Sequence, residues 1–301
     1  GNLTVENAGF IDGDIKFGAG NDSYFGEGGV LSERSEAKMG SGADTYIGGA
    51  ALDRVNGGSG NDFLRGEGSD DLLFGSSGDD RVFGDDGNDL VTGDDGNDEL
   101  FGWLGDDELR GGYNEDRLFG QQGEDFLDGG EGNDELRGGS ENDTLFGWLG
   151  NDFLFGDEGD DVMDGQADDD ELFGWTGNDR MFGDTGNDKL FGQDGDDFLI
   201  GWEGNDLLVG GKGNDEMDGQ AGADRYEFFA DDFEAGGRDV ILAYDAADTY
   251  AFKGNPQIAS LNVVALGPDA RIEVNLADGG IALIDVLGAS VADVNANITF
   301  F

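Results

Sequence analysis

The feature that most limits what this chain can become is a period of nine residues. It runs without insertion or deletion from Met39 to Glu227, through 21 copies. A clean copy is Gly57-Gly58-Ser59-Gly60-Asn61-Asp62-Phe63-Leu64-Arg65. Position one is Gly in every copy except the one that starts at Met39, and position six is Asp in every copy. Position eight is large and apolar throughout, from Tyr46, Val55 and Leu64 to Met217 and Tyr226. Position four is Gly except at Ala51, Ser69, Asn114, Glu141 and Asp168. A fixed period of this kind marks one structural unit stacked on copies of itself.

The unit can be built from its residues. Positions one to six are turn chemistry, with Gly expected to supply positive φ without steric cost. Positions seven to nine, such as Phe63-Leu64-Arg65, are expected to form a strand of three residues. Side chains alternate across a strand, so position eight should point in and positions seven and nine out. Two copies then make one flattened coil of strand-turn-strand-turn, and stacked coils give two parallel sheets about 4.8 Å apart from strand to strand. The expected fold is all-β, a parallel β-roll (β-solenoid). Its core is thin, one apolar residue per strand, and does not offset the ordering entropy unaided.

Something must also neutralise the charge. The 301 residues include 69 acidic and 16 basic side chains, a formal charge of -53. Such a chain repels nucleic acid and anionic membranes, so neither is an expected partner. The sequence has no cysteine and no histidine, which excludes disulfides, thiol nucleophiles, His-based triads and the usual zinc ligands. No apolar run is long enough to span a bilayer.

Residues 18 apart stack in one column. One column holds Asp44, Asp62, Asp80, Asp98, Asp116, Asp134, Asp152, Asp170, Asp188, Asp206 and Asp224. The other holds Asp53, Asp71, Asp89, Asp107, Asp125, Asp143, Asp161, Asp179, Asp197 and Asp215. Asn forms turns as well as Asp does, and position five does mix Asn, Asp, Glu and Ala, yet position six never accepts Asn. Carboxylates about 4.8 Å apart repel by about 1 kcal/mol even in bulk water. A hard divalent cation between them removes that repulsion, and calcium takes six to eight oxygens from carboxylates and backbone carbonyls.

The motif Gly-Gly-x-Gly-x-Asp-x-(large apolar)-x resembles the repeat of RTX proteins, over about two-thirds of the chain. The resemblance implies a parallel β-roll in which each ion sits between successive turns on one side, held by position-six carboxylates and turn carbonyls. It implies up to about 19 calcium sites. Sites flanked by the five copies without Gly at position four depart from the family pattern. Phe17-Gly18-Ala19-Gly20-Asn21-Asp22-Ser23-Tyr24-Phe25 is a further copy in all but its first position. Reading 26–38 as one nonapeptide with four extra residues places Asp22 in the column of Asp44 and adds it to the expected ligands.

The expected organisation is an N-terminal cap and irregular first repeat at 1–38, the roll at 39–227 and a capping or secretion region at 228–301. Strands are expected near Asp239 to Tyr244, Thr249 to Phe252, Leu261 to Leu266, Arg271 to Leu276 and Ile281 to Leu287. A hairpin turn is expected at Asp278-Gly279-Gly280 and a helical turn at Ser290 with Asp293. The terminal region also looks like the secretion region of RTX proteins exported by bacterial type I systems. Outward Phe83, Phe101 and Phe119 are read as rings stacked along the sheet, and Arg81, Glu99, Arg117 and Glu135 as register support. Trp103, Trp148, Trp175 and Trp202, all at position two, are read as packing over neighbouring turns; sugar-stacking platforms are the competing reading.

Three functions follow from this reading. The first is a calcium-binding module of a secreted bacterial protein, unfolded at low calcium and folding outside the cell, with type I secretion machinery as partner. The second is an extracellular adhesin or polysaccharide-binding module of a larger protein, with a glycan or cell-surface ligand. The third, an enzyme, is not expected, because the carboxylates are periodic and no unique cleft constellation stands out.

Overall fold

In the computed structural model, which describes residues 1–26, 30–31, 35–229, 238–242, 247–253, 258–266, 269–276 and 281–300, every strand of the repeat pairs in parallel with the strand two copies away. The chain divides into Gly1–Phe153 and Leu154–Phe301. In the first unit one sheet runs Thr4–Glu6, Ser23–Phe25, Thr45–Gly49, Phe63–Gly68, Arg81–Asp86, Glu99–Leu104, Arg117–Gln122, Glu135–Ser140. The other runs Ile15–Lys16, Ala37–Ser41, Arg54–Ser59, Leu72–Ser77, Leu90–Asp95, Glu108–Tyr113, Phe126–Glu131, Thr144–Leu149. The register is one of 18 residues: Leu64 faces Val82 and Val82 faces Leu100. The fold is the parallel β-roll that the period implies.

Strands are six residues long rather than three. Phe63–Gly68 covers positions seven to nine and the first three of the next copy. Its burial alternates, with Leu64 and Gly66 inside and Phe63 and Arg65 half-buried. Position one is therefore a strand residue that faces the core, not a turn residue with positive φ. Positive φ falls at positions two and four instead, as at Gly58 (104°) and Gly60 (122°). The position-eight side chains from Tyr46 to Tyr226 are fully buried. In the first unit the column is closed by Tyr24 stacked on Tyr46, 4.8 Å between ring centres. Tyr24 faces Tyr46 across 22 residues, so the four extra residues of the first repeat leave the coil intact.

In the second unit one sheet runs Glu171–Thr176, Lys189–Asp194, Leu207–Lys212, Arg225–Phe229, Thr249–Lys253, Ile298–Phe300. The other runs Val162–Ala167, Arg180–Thr185, Phe198–Glu203, Glu216–Asp218, Arg238–Ile241, Ile281–Val286, and ends in the antiparallel strands Asp269–Leu276 and Ile258–Leu266. The sequence period stops at Glu227, but the coil does not: Arg225 pairs with Thr249 and Glu216 with Val240. The helical turn expected at Ser290 is a helix, Val291–Asn297, opened by a capping box of Ser290 and Asp293. The expected hairpin turn at 278–280 lies outside the described residues.

Candidate metal centre

Each position-six aspartate joins two coils. The peptide N–H of Asp62 donates to Oδ1 of Asp80 at 2.7 Å, and that of Asp80 to Oδ1 of Asp98 at 2.7 Å. On the other edge Asp71 donates to Asp89 and Asp89 to Asp107, at 2.7 and 2.8 Å. In the second unit Asp179 donates to Asp197 and Asp188 to Asp206, both at 2.9 Å. All 22 predicted ligands, from Asp22 to Asp224, are at most 3% exposed.

That bond uses one carboxylate oxygen. In Asp62, Asp71, Asp80, Asp89, Asp98, Asp107, Asp116, Asp125, Asp179, Asp188, Asp197 and Asp206, buried Oδ2 has no hydrogen-bond partner. It lies in a cradle that only glycine leaves open. A Cβ on Gly57 would stand 2.5 Å from Oδ2 of Asp62 and 2.8 Å from the carbonyl oxygen of Gly75 in the next coil. This close approach, and not conformational freedom, explains the glycine at position one.

The electrostatics are those of buried, stacked carboxylates. Burial, with repulsion from Asp53 and Asp89, pushes Asp71 up to about 8; burial with its own neighbours pushes Asp107 and Asp116 to about 8. Asp62, Asp80 and Asp197 rise to about 7, again by burial first. The ladder N–H bonds offset only part of this. A carboxylate so placed holds either a proton or a cation at neutral pH.

The neighbouring position shows why Asn is refused. Position five builds its own ladder: Asp79 N–H donates to Oδ1 of Asn61 at 3.3 Å, and Asn97 N–H to Oδ1 of Asp79 at 3.2 Å. One acceptor oxygen suffices there, and Asn and Asp alternate freely. Position six needs the same acceptor and a second oxygen besides. The donor set is hard and oxygen-only, which fits calcium. Among the described residues no three acidic side chains converge as a metal cluster, so backbone carbonyls must complete any coordination shell. An open groove of about 800 Å³ runs along one edge past Asp62, Asp80, Asp98 and Asp116 and gives ions a path in.

Some predicted positions depart from the pattern. Asp53 Oδ2 accepts the N–H of Gly49 at 3.2 Å. At position four, Ser69, Asn114, Glu141 and Asp168 adopt φ of 77° to 80°, against 122° at Gly60 and 145° at Gly96. Beside Asn114 the bond from Gly96 N–H to the Tyr113 carbonyl stretches to 3.3 Å. Beside Glu141 the N–H of Gly123 turns to Oε2 of Glu141. These turns present their carbonyls differently, as their sequence implies. Asp22 joins its column as expected, its N–H on Oδ1 of Asp44 at 2.6 Å. The column ends at Leu3, whose N–H reaches Oδ1 of Asp22 but which brings no carboxylate.

Two aspartates were missed. Asp215 N–H donates to Oδ1 of Asp239, and Asp224 N–H to Oδ1 of Asp248. Both lie 24 residues on instead of 18, without the glycine punctuation; the one signal was an Asp just before each alternating apolar strand.

The decoration is mixed. Phe83, Phe101 and Phe119 stack at 4.7 and 4.9 Å, and Phe155, Phe173 and Phe191 at 5.1 and 5.0 Å. Arg81 pairs with Glu99 and Arg117 with Glu135. The tryptophans do not pack away: Trp103, Trp148, Trp175 and Trp202 are 43% to 46% exposed and held at φ of 74° to 85°.

The family described as RTX calcium-binding nonapeptide repeat matches residues 40–73, 74–109, 110–145, 128–163, 149–181, 176–208 and 203–227. No curated protein matches the chain. Among solved structures it is similar to the AlgE6R3 subunit of the Azotobacter vinelandii mannuronan C5-epimerase. The identity is 23% over 50% of this chain and 80% of that one, with a TM-score of 0.30. It is also similar to the extracellular lipase LipA of Serratia marcescens, at 18% identity over 73% of this chain and 44% of that one, with a TM-score of 0.27.

Proposed function

Since this chain belongs to the family of RTX calcium-binding nonapeptide repeats, we propose that it is a calcium-gated folding module of a secreted bacterial protein. The observation that carries this is the file of buried position-six carboxylates whose Oδ2 atoms have no hydrogen-bond partner, as in Asp62, Asp80 and Asp98. Without a cation these groups repel, and the thin core does not compensate. Where calcium is scarce the chain stays extended; where calcium is millimolar, binding free energy becomes folding free energy. We take the position-six aspartates from Asp22 to Asp224 as the ligands, with turn carbonyls completing the shells.

Such a switch suits export. An unfolded acidic chain threads a type I channel, and folding outside prevents its return. We assign the roll to 39–227 and the export signal to 228–301. The test is circular dichroism of the full chain during a calcium titration from excess chelator. A cooperative passage from coil to β-structure is expected; equal spectra with and without calcium would refute the reading. Export is tested in cells carrying a type I exporter, where removal of 228–301 should stop release.

The exposed tryptophans favour a second role. A bulky residue in the left-handed region costs of order 1 kcal/mol or more, and burial does not repay it at Trp103 or Trp148. Their open faces suit stacking on sugar rings. Retention on a glycan matrix that survives Trp103→Ala with Trp148→Ala would remove this role.

A further inference from the structure

The nonapeptide period ends at Glu227, but the aspartate ladder continues. Within residues 154–301, the N–H of Asp215 donates to Oδ1 of Asp239 at 3.2 Å, and that of Asp224 to Oδ1 of Asp248 at 3.1 Å. The same bond ties Asp197 to Asp215 and Asp206 to Asp224, both at 3.0 Å. The backbone keeps step. Val240 N–H meets the Asp215 carbonyl at 2.7 Å and Thr249 N–H the Asp224 carbonyl at 2.8 Å, as Arg225 N–H meets that of Asp206. Asp239 and Asp248 are 5% and 1% exposed. Each therefore occupies a position-six place, although its own segment no longer follows the repeat.

The cradle is present as well. The space for a Cβ on Gly210 is filled by Oδ2 of Asp215, and that on Gly219 by Oδ2 of Asp224. One coil earlier, Oδ2 of Asp197 and of Asp206 is buried without a hydrogen-bond partner. Both columns thus reach the last nonapeptides with the geometry they have inside the array, and Asp239 and Asp248 supply the next carboxylate. Other buried acids of this segment meet organic cations. Glu227 pairs with Arg225 at 2.6 Å and with Lys253, and Asp285 with Arg238 and Arg271. Asp239 and Asp248 instead accept ladder N–H groups, as the calcium-column aspartates do.

We propose that Asp215 with Asp239, and Asp224 with Asp248, hold two further calcium ions beyond the repeat array. The metal columns then run past the last nonapeptide and clamp strands 238–241 and 249–253 onto the roll. This rests on the calcium reading above. Docking of these strands becomes a metal-dependent step, distinct from the ion pairs that hold Asp285 and Glu227.

The test compares full-length Asp239→Asn, Asp248→Asn and their double variant with the mid-roll variant Asp107→Asn. Calcium is counted by equilibrium dialysis at saturation. Asn keeps Oδ1 and so keeps the ladder bond, which favours an unchanged fold. Each single variant should bind one calcium fewer and the double variant two fewer. In the unmodified chain, exchange protection of the Val240 and Thr249 amides should rise with calcium as mid-roll amides do. An unchanged count in the double variant, with a reduced count in Asp107→Asn, overturns the inference and leaves the calcium reading standing. So does protection of Val240 and Thr249 that ignores calcium. An unchanged count in Asp107→Asn as well overturns both.

Discussion

Asp107→Asn isolates the charge of one position-six side chain from its shape. Asp107 is 3% exposed, accepts the N–H of Asp89 at 2.8 Å and donates its own N–H to Asp125 at 2.8 Å. Asn fits the same space and accepts the same N–H through its Oδ1, so the ladder survives. What changes is Oδ2, which becomes an NH₂ that cannot ligate calcium. Asp107 borders two gaps of its column, one toward Asp89 and one toward Asp125. An ion bound at a hundredfold excess over its dissociation constant stabilises the fold by about 2.7 kcal/mol. Loss of both ions therefore costs up to about 5 kcal/mol in saturating calcium, or roughly 10–20 °C of melting temperature for a domain of this size. In chelator at pH 8 the sign reverses. There the substitution removes a buried carboxylate that burial and its neighbours Asp89 and Asp125 push up to about 8. The assays are a melt in each buffer and a calcium count by equilibrium dialysis. A variant that melts with the parent in calcium and binds as many ions would mean that Asp107 is a solvated turn residue, and the reasoning from Oδ2 would fail.

Gly57→Ala forces a Cβ to within 2.5 Å of Oδ2 of Asp62 and 2.8 Å of the Gly75 carbonyl; it should lower the calcium count, whereas Gly68→Ala, whose Cβ meets nothing closer than 3.8 Å, should not. Phe101→Ser removes ring stacks at 4.7 and 4.9 Å, at a cost of about 1–3 kcal/mol; sedimentation should find the association state unchanged, and a shift to a smaller species would show that the stripe is a docking surface. In chelator, pH should act opposite to the usual acid denaturation. Burial raises Asp62, Asp80 and Asp197 to about 7 and Asp71, Asp107 and Asp116 to about 8 from an ordinary 3.8. The folded form therefore keeps protons that the unfolded chain releases. That stability is present below about pH 4 and is lost as pH rises through about 6 to 8, so circular dichroism in chelator should show more β-structure at pH 4.5 than at pH 8. With calcium the ion replaces the proton, and stability should instead fall as the pH drops.

What the sequence made legible is what chemistry holds constant. Leu64 and Val82 are buried because a large apolar residue at a fixed period has nowhere else to go. Asp62 and Asp80 stack because 18 residues make one coil. What stayed hidden is what the stacked coils impose on each other. Position two prefers nothing in common: Gly58, Asp85, Trp103 and Gln121 all stand there, and all take positive φ. No local propensity predicts a tryptophan in the left-handed region; the ladders on either side leave its backbone no other course. The six-residue strand is hidden for the same reason, since Gly66-Glu67-Gly68 has no strand propensity of its own. Asp239 and Asp248 escaped because the spacing changed while the ladder did not.

These misses share a cause with the proposed function. If neighbours and not local preference fix each copy, one isolated copy has little reason to fold, and each coil waits for the one beside it. The ion between two coils then does more than cancel charge. It holds the two turns at the distance at which the N–H of Asp62 reaches Oδ1 of Asp80, and so prepares the edge on which the next coil pairs. Calcium bound anywhere in a column therefore favours calcium in the adjoining gap. The titration should be steeper than independent sites allow, and the isosteric loss of one carboxylate at Asp107 should flatten the curve as well as lower its plateau. A plateau lowered with the slope intact would mean that the sites fill independently and that the ladder, not the metal, sets the order of the roll.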